Sequence, residues 1–324
     1  MKAIISHLLL ILLTLPLVNG VNVETKADVG SCLHQIENAR LLRPSECDAT
    51  GRVGPNITVG NRTLSNDEFH IVIGSPATIP QTRHNTNKNL IVYLPGTTDH
   101  PALSSCLLQS VALSSKPAIG LTYAYLNRGD TDRNNECAAL PSVEDTVECL
   151  AAQHEDAIYG GDYGATTVGN TKNKPLWQEI DVRDSILGRL GMLLQHLHKM
   201  YPKEGWSEYF HHDNDDSSLI PNPILEQITF IGHSQGAGHA AYLAQTKAVH
   251  GAVLLSGPQD ECVGCSAHDV SFWVDGPFKT TSITAMAHAD DADDYEPTLG
   301  IIQSNWERFG TFESNKPVII EMVV

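Results

Sequence analysis

From Glu68 onward the chain alternates short, continuously apolar runs with longer segments whose apolar residues recur every three or four positions. The runs are Phe69–Ile73, Leu90–Leu94, Ala118–Tyr125, Ile228–Ile231, Ala252–Ser256 and Ser282–Ala287. Apolar runs without polar alternation predict strands covered on both faces, as in parallel sheets. Between them, Ile186, Leu187, Leu190, Leu193, Leu194, Leu197 and Met200 keep a helical period that stops at Pro202. Ala102–Leu113 reads as a second helix. Strands alternating with helices predict an α/β fold, a mostly parallel central sheet with helices on both faces. Pro317–Val324 reads as one further strand, at which the sequence stops without the covering helix that should follow.

Two stretches depart from this alternation. Residues 21–66 are polar, carry Cys32 and Cys47 and show little periodicity, which predicts an N-terminal extension pinned by a disulfide. Residues 129–180 are rich in Asp, Asn and Gly and carry Cys137 and Cys149. An insertion at the carboxyl end of a strand is where a lid over a pocket sits, and a surface excursion stapled by Cys137–Cys149 fits equally well. The organisation is therefore residues 1–20, 21–66 and a main domain over 67–324 with the insertion inside it.

Residues 1–20 have one basic residue, the apolar stretch Leu8–Leu13 and Val18-Asn19-Gly20. That pattern predicts a secretory signal peptide cleaved near Gly20, too short to span a bilayer. No other segment is long and apolar enough to cross one. The expected product is secreted and extracellular, with no integral membrane segment after cleavage. Asn56-Ile57-Thr58 and Asn61-Arg62-Thr63 are glycosylation sequons that fit this address.

Composition narrows the partners. The 324 residues include 38 acidic against 21 basic ones, a net charge of -17. A field of that sign repels phosphate backbones and excludes nucleic acid as a partner. In an oxidising compartment the seven cysteines are disulfide candidates before metal ligands. Cys32 with Cys47, and Cys137 with Cys149, would close short loops; Cys106, on an apolar helical face, is the expected free thiol. Cys262-Val263-Gly264-Cys265 lacks the second pair a zinc site needs. No cofactor or metal is expected.

The chemistry centres on Gly232-His233-Ser234-Gln235-Gly236, a G-x-S-x-G between the apolar run Ile228–Ile231 and the small-residue stretch Ala237–Ala244. This is the context of a sharp strand-to-helix turn that presents a serine hydroxyl for attack. A nucleophilic serine needs a base, usually histidine, a carboxylate that orients it, and two N–H donors for the oxyanion. One donor should be the backbone N–H of Gln235. The other should come from Leu94-Pro95-Gly96-Thr97, with Thr97 the best candidate.

The elbow, the Pro95-Gly96-Thr97 loop and a later acidic turn together resemble the α/β-hydrolase superfamily, in its serine esterase and lipase branch, over roughly Glu68 to the C-terminus. The resemblance implies the chain order serine, acid, histidine. It selects Asp291 as the acid, after the strand Ser282–Ala287, with Asp290 as the alternative and Asp260, after Ala252–Ser256, as a minority candidate. A calcium site from Asp290, Asp291, Asp293 and Asp294 lacks the ligand loop such a site requires. The base is the break in the pattern, because no histidine follows His288. Three readings compete: a sequence incomplete at its C-terminal end, which the odd cysteine count favours; His288 or His268 as an unorthodox base; or a catalytically dead scaffold. His233 and His239 are expected to be structural. The implied activity is hydrolysis of a small-molecule or lipid ester through an acyl-enzyme on Ser234. A serine peptidase of the same fold and a non-catalytic binding protein are the alternatives.

Overall fold

The computed structural model describes residues 39–51, 57–59, 62–74, 89–97, 99–114, 116–124, 137, 140, 142–160, 180–212, 220–261, 273–275, 278–289, 298–309 and 317–320. In chain order the strands are β1 (Ala39–Leu42), β2 (Ile57–Val59), β3 (Arg62–Leu64), β4 (His70–Ile73), β5 (Leu90–Leu94), β6 (Ala118–Gly120), β7 (Ile228–His233), β8 (Gly251–Leu255), β9 (Ile283–His288) and β10 (Val318–Ile320). The helices are α1 (Pro44–Cys47), α2 (Ser105–Leu113), α3 (Val143–Tyr159), α4 (Ile186–Met200), α5 (Gln235–Thr246) and α6 (Thr298–Phe309).

Among the described residues eight strands form one sheet in the order β1-β4-β6-β5-β7-β8-β9-β10. The six from β6 to β10 are mutually parallel, β4 is antiparallel to both its neighbours, and β1 therefore runs with the majority. The expected mostly parallel sheet is present, and the expected strand at Pro317–Val324 is β10, paired in parallel with β9.

The continuous apolarity of β4 and β5 follows from burial on both faces. Val72, Leu90, Val92, Leu94 and Ile119 enter one core with Leu190, Leu193, Leu194 and Leu197 of α4 and Ala237, Ala240 and Ala241 of α5. Their strand neighbours Ile71, Ile73, Ile91, Tyr93 and Ala118 enter a second core against Leu107, Leu108 and Val111 of α2. Successive side chains thus face opposite helix layers, as the pleat dictates. Caps fix the helix starts: the Ser185 hydroxyl accepts from the Gly188 N–H, and the Ser142 hydroxyl from the Asp145 N–H.

The run Ala118–Tyr125 is ladder-paired only as far as Gly120. Beyond it the Thr122 N–H donates to Nδ1 of the fully buried His70, at 3.0 Å, and the Thr122 hydroxyl donates to the Phe69 carbonyl. A side chain replaces a strand partner there. Arg189, itself 1 % exposed, donates to the Thr122 carbonyl and to Asp184 at 2.8 Å, which supplies the counter-charge its burial demands.

The largest departure from expectation lies in residues 129–180. No long periodic segment is evident there in the sequence, yet α3 runs for 17 residues and buries Cys149, Leu150, Ala152, Gln153, His154, Asp156, Ala157 and Ile158. Most of that face is small or polar, so hydrophobic periodicity misses it. The Cys137–Cys149 disulfide is present. The described part of the insertion is thus a core helix rather than a lid; residues 161–179 lie outside the described residues. Two cysteine expectations are corrected. Cys106 is disulfide-bonded, to a partner that lies outside the described residues. Among the described cysteines Cys47 is the free thiol, so the Cys32–Cys47 pairing is not made. Burial, reinforced by Glu46 and Asp67, pushes the Cys47 thiol up to about 12 and makes it inert at neutral pH. Residues 57–59 and 62–64, expected as exposed loop, form the antiparallel pair β2–β3; Asn56 and Asn61 lie outside the described residues, as do residues 1–20. No described helix is long and apolar enough to cross a membrane.

Burial, and secondarily the Arg189 charge, holds the His70 imidazole well below its ordinary value. His70 is therefore neutral in the folded state, while the unfolded chain binds its proton below about pH 6.5. Stability from this group is complete above that pH and declines as pH falls through it, by at most about 1.4 kcal/mol per pH unit. The expected outcome is that His70→Asn, whose amide oxygen can accept from Thr122, flattens the loss of urea stability between neutral pH and pH 4.5.

Candidate active site

The chain has the α/β-hydrolase fold: the strand order with β4 reversed is that fold's order, and everything below follows from where it reverses direction. From β5 the chain steps to β6 on one side and then returns to β7 on the other. The loops leaving the carboxyl ends of β5 and β7 consequently diverge around a crevice at a shared edge, where Leu94 and Gly232 are register partners.

Only Ser234 separates β7 from α5. Its backbone is at φ 52° and ψ -118°, a region essentially closed to residues with a side chain. The turn is held from outside: the Ser234 N–H donates to the Leu255 carbonyl at 2.9 Å, and the Ser234 carbonyl accepts from the Ala237 N–H at 2.9 Å. Two glycines make it possible. A Cβ on Gly232 would run into the Gly236 carbonyl, and one on Gly236 would collide with the Leu94 and Pro95 carbonyls. The β5 loop therefore lies directly against the elbow, and a Cβ on Gly96 would stand 3.1 Å from the Cβ of Ser234.

This packing brings three of the predicted site residues together. Ser234, Gln235 and Thr97 are all half-buried at the same edge. Gln235 opens α5, so its backbone N–H is among those the helix itself does not use, at the positive end of the helix dipole. The Thr97 hydroxyl donates to Gln235 Oε1 at 3.3 Å, tying the two candidate oxyanion residues to each other. The Tyr123 hydroxyl donates to the Pro95 carbonyl at 2.7 Å and anchors the loop from below. His233 Nδ1 lies 3.7 Å from Asp99 Oδ2 with both side chains partly exposed, so the contact is a weak one.

The acid and base are not assembled among the described residues. Asp290, Asp291 and His268 lie outside them. His288 is the last residue of β9, half-buried, two strands from β7. At the usual strand spacing that is roughly 10 Å across the sheet. Asp260 does meet a histidine, but it is one that sequence reasoning did not single out. His154 Nε2 is 2.7 Å from Asp260 Oδ2, and His154 Nδ1 is 2.9 Å from Nδ1 of His239. With both ring nitrogens engaged, His154 has none to offer Ser234. No local motif marks His154; its partner His239 lies one helical turn past the elbow and is 1 % exposed. No group of three or more His, Cys, Asp or Glu able to hold a metal occurs among the described residues. Cys262, Cys265, Asp293 and Asp294 lie outside them.

No family model matches this chain, and no curated protein matches it. Several solved structures resemble the chain at low identity. One is a dienelactone hydrolase from Anabaena variabilis, 12% identical, with 88% of this chain and 87% of that chain covered at a TM-score of 0.35. Another is esterase 2 of Thermogutta terrifontis, 14% identical over 89% and 83% at 0.38. A third is a putative thioesterase from Silicibacter, 11% identical over 94% and 88% at 0.40.

The strain at Ser234 is measurable. Ser234→Gly should raise the unfolding free energy by about 1–2 kcal/mol relative to Ser234→Ala, because only glycine adopts that backbone freely. Gly236→Ala should lower it by about 2 kcal/mol or more, since the methyl group meets fixed backbone carbonyls. Urea titrations of the three variants check both.

Proposed function

We propose that the protein is a secreted serine hydrolase that cleaves carboxylic esters through an acyl-enzyme on Ser234. The observation that carries the reading is the φ 52°, ψ -118° backbone of Ser234 at a strand–helix junction. Strain of about 1–3 kcal/mol persists where the presented side chain is used. In the reading, Ser234 Oγ attacks the ester carbonyl, and the N–H groups of Thr97 and Gln235 hold the oxyanion. Collapse breaks the bond to the alcohol, which leaves with the proton taken from Oγ, and water then releases the acid. Asp291, or Asp290 in its place, orients the base, for which His288 and His268 are the candidates. The substrate is a small-molecule or lipid ester. Secretion is supported by the signal-like residues 1–20 and by cysteines that are oxidised at Cys137, Cys149 and Cys106.

A second reading, a catalytically dead binding protein on this scaffold, is favoured by one specific observation. Among the described residues no histidine is hydrogen-bonded to Ser234, and the one buried His–Asp pair is turned elsewhere. A peptidase reading is separated by substrate.

The test is a fluorophosphonate probe on the full-length protein, followed by p-nitrophenyl esters against peptide anilides. Labelling at Ser234, lost in Ser234→Ala, and preference for the esters are the expected results; an unlabelled wild-type protein would sink the enzyme reading. Asp291→Ala should lower kcat on the order of 10⁴-fold, as loss of the orienting acid does, whereas an unchanged rate assigns the role to Asp290 or Asp260.

A further inference from the structure

We propose that Asp260 is a positioning residue, which acts through His154 and His239 to hold the three backbone segments around Ser234 in register. The proposal rests on the serine hydrolase reading and adds a role to residues which that reading leaves unused.

The first segment is the loop after β8. Ser256 has φ 51°, and the chain then turns so that Gly257 backs onto the elbow. A Cβ on Gly257 would stand 2.7 Å from the Ser234 carbonyl oxygen and 2.8 Å from the Ala237 Cβ. Any shift of residues 256–260 is thus felt directly at the serine. The loop is held on one side by α6. Trp306 Nε1 donates to the Gly257 carbonyl at 2.9 Å, and the Asn305 amide donates to the carbonyls of Pro258 at 3.1 Å and Asp260 at 2.9 Å. On the other side the Asp260 carboxylate is the anchor. Its Oδ2 accepts from Trp273 Nε1 at 2.7 Å and from His154 Nε2 at 2.7 Å.

His154 carries that anchor to the second segment, the helix that Ser234 begins. It fits over Gly238, where a Cβ would lie 2.8 Å from the imidazole Cε1. It stacks on Tyr242 with ring centroids 5.4 Å apart at 21°. Its Nδ1 faces the Nδ1 of His239 at 2.9 Å. His239 then carries contact to the third segment. Its ring meets Tyr123 edge-on at 5.6 Å, and Tyr123 donates to the Pro95 carbonyl in the loop that carries Thr97.

The bonding pattern constrains the roles. Asp260 accepts, so His154 Nε2 carries a proton. The two facing Nδ1 atoms share one proton between them, because two would repel and none would leave no bond. Directional bonds of this kind, one of them charge-assisted, fix a geometry that apolar contacts alone leave able to slide. His154 and His239 are 4 % and 1 % exposed, so water does not compete for these bonds. A polar chain of this length in the core has a large desolvation cost, and it runs between the three backbones that touch Ser234.

The test measures kcat and KM for a p-nitrophenyl ester on full-length protein, with kcat expressed per fluorophosphonate-titrated serine, alongside thermal melts. Asp260→Ala should lower kcat per titrated serine about 10- to 100-fold, the effect expected of a small misplacement, with KM within about threefold of wild type. Asp260→Asn, whose amide oxygen accepts from both His154 and Trp273, should recover most of the loss. Trp273→Phe keeps a ring in place, removes one donor and should cost about fivefold, which keeps the proposal open to refutation where the alanine variant fails to fold. A lowered melting temperature with wild-type kcat per titrated serine in Asp260→Ala or Trp273→Phe overturns it. So does a loss on the order of 10⁴-fold in Asp260→Asn, which would make Asp260 the orienting acid itself. A wild-type protein that neither labels nor turns over overturns the hydrolase reading instead.

Discussion

The arrangement depends on how closely two backbones approach at one sheet edge. The Gly236 peptide lies against the carbonyls of Leu94 and Pro95, and Gly232 lies against the Gly236 carbonyl. At that separation no side chain fits between β7 and α5 except one forced outward, and that one is Ser234. Its unfavourable dihedrals are sustained because the Leu255 carbonyl and the start of α5 fix it from both ends. The same approach places Thr97 beside Gln235. A single steric condition therefore orders the serine and both candidate oxyanion donors.

The rest of the core serves that edge. Helix α3 packs with α4 and α5 on one face of the sheet and brings His154 over the helix that Ser234 opens. Helix α6 grips the loop after β8 through Asn305 and Trp306. The elbow is thus clamped from the β5, β8 and α3 sides by hydrogen bonds as well as by packing. Apolar burial of β4, β5 and β7 supplies cohesion, and the buried polar contacts supply direction.

Much of this was legible along the chain. The strands β4, β5, β7, β8 and β9 are readable because burial makes each one largely apolar, and α4 because one of its faces is. The elbow is readable because only glycines tolerate the contacts it makes. Helix α3 was not legible. Its buried face holds Cys149, Gln153, His154 and Asp156, whose burial is sustained by a disulfide and hydrogen bonds to partners far along the chain. The cysteine pairing was misread for a related reason: spacing in sequence suggests Cys47 as a partner, while α1 buries that thiol unpaired.

By itself the sequence determined the α/β class, the strand–serine–helix junction and the loop that answers it, because each depends on local periodicity or on glycine's missing Cβ. Tertiary structure alone decided that Asp260 faces His154, that His154 faces His239, and that residues 143–159 are core. Those contacts join residues 106 and 85 positions apart. Their energy comes from geometry assembled only after the sheet has formed, and no local pattern in the chain encodes it.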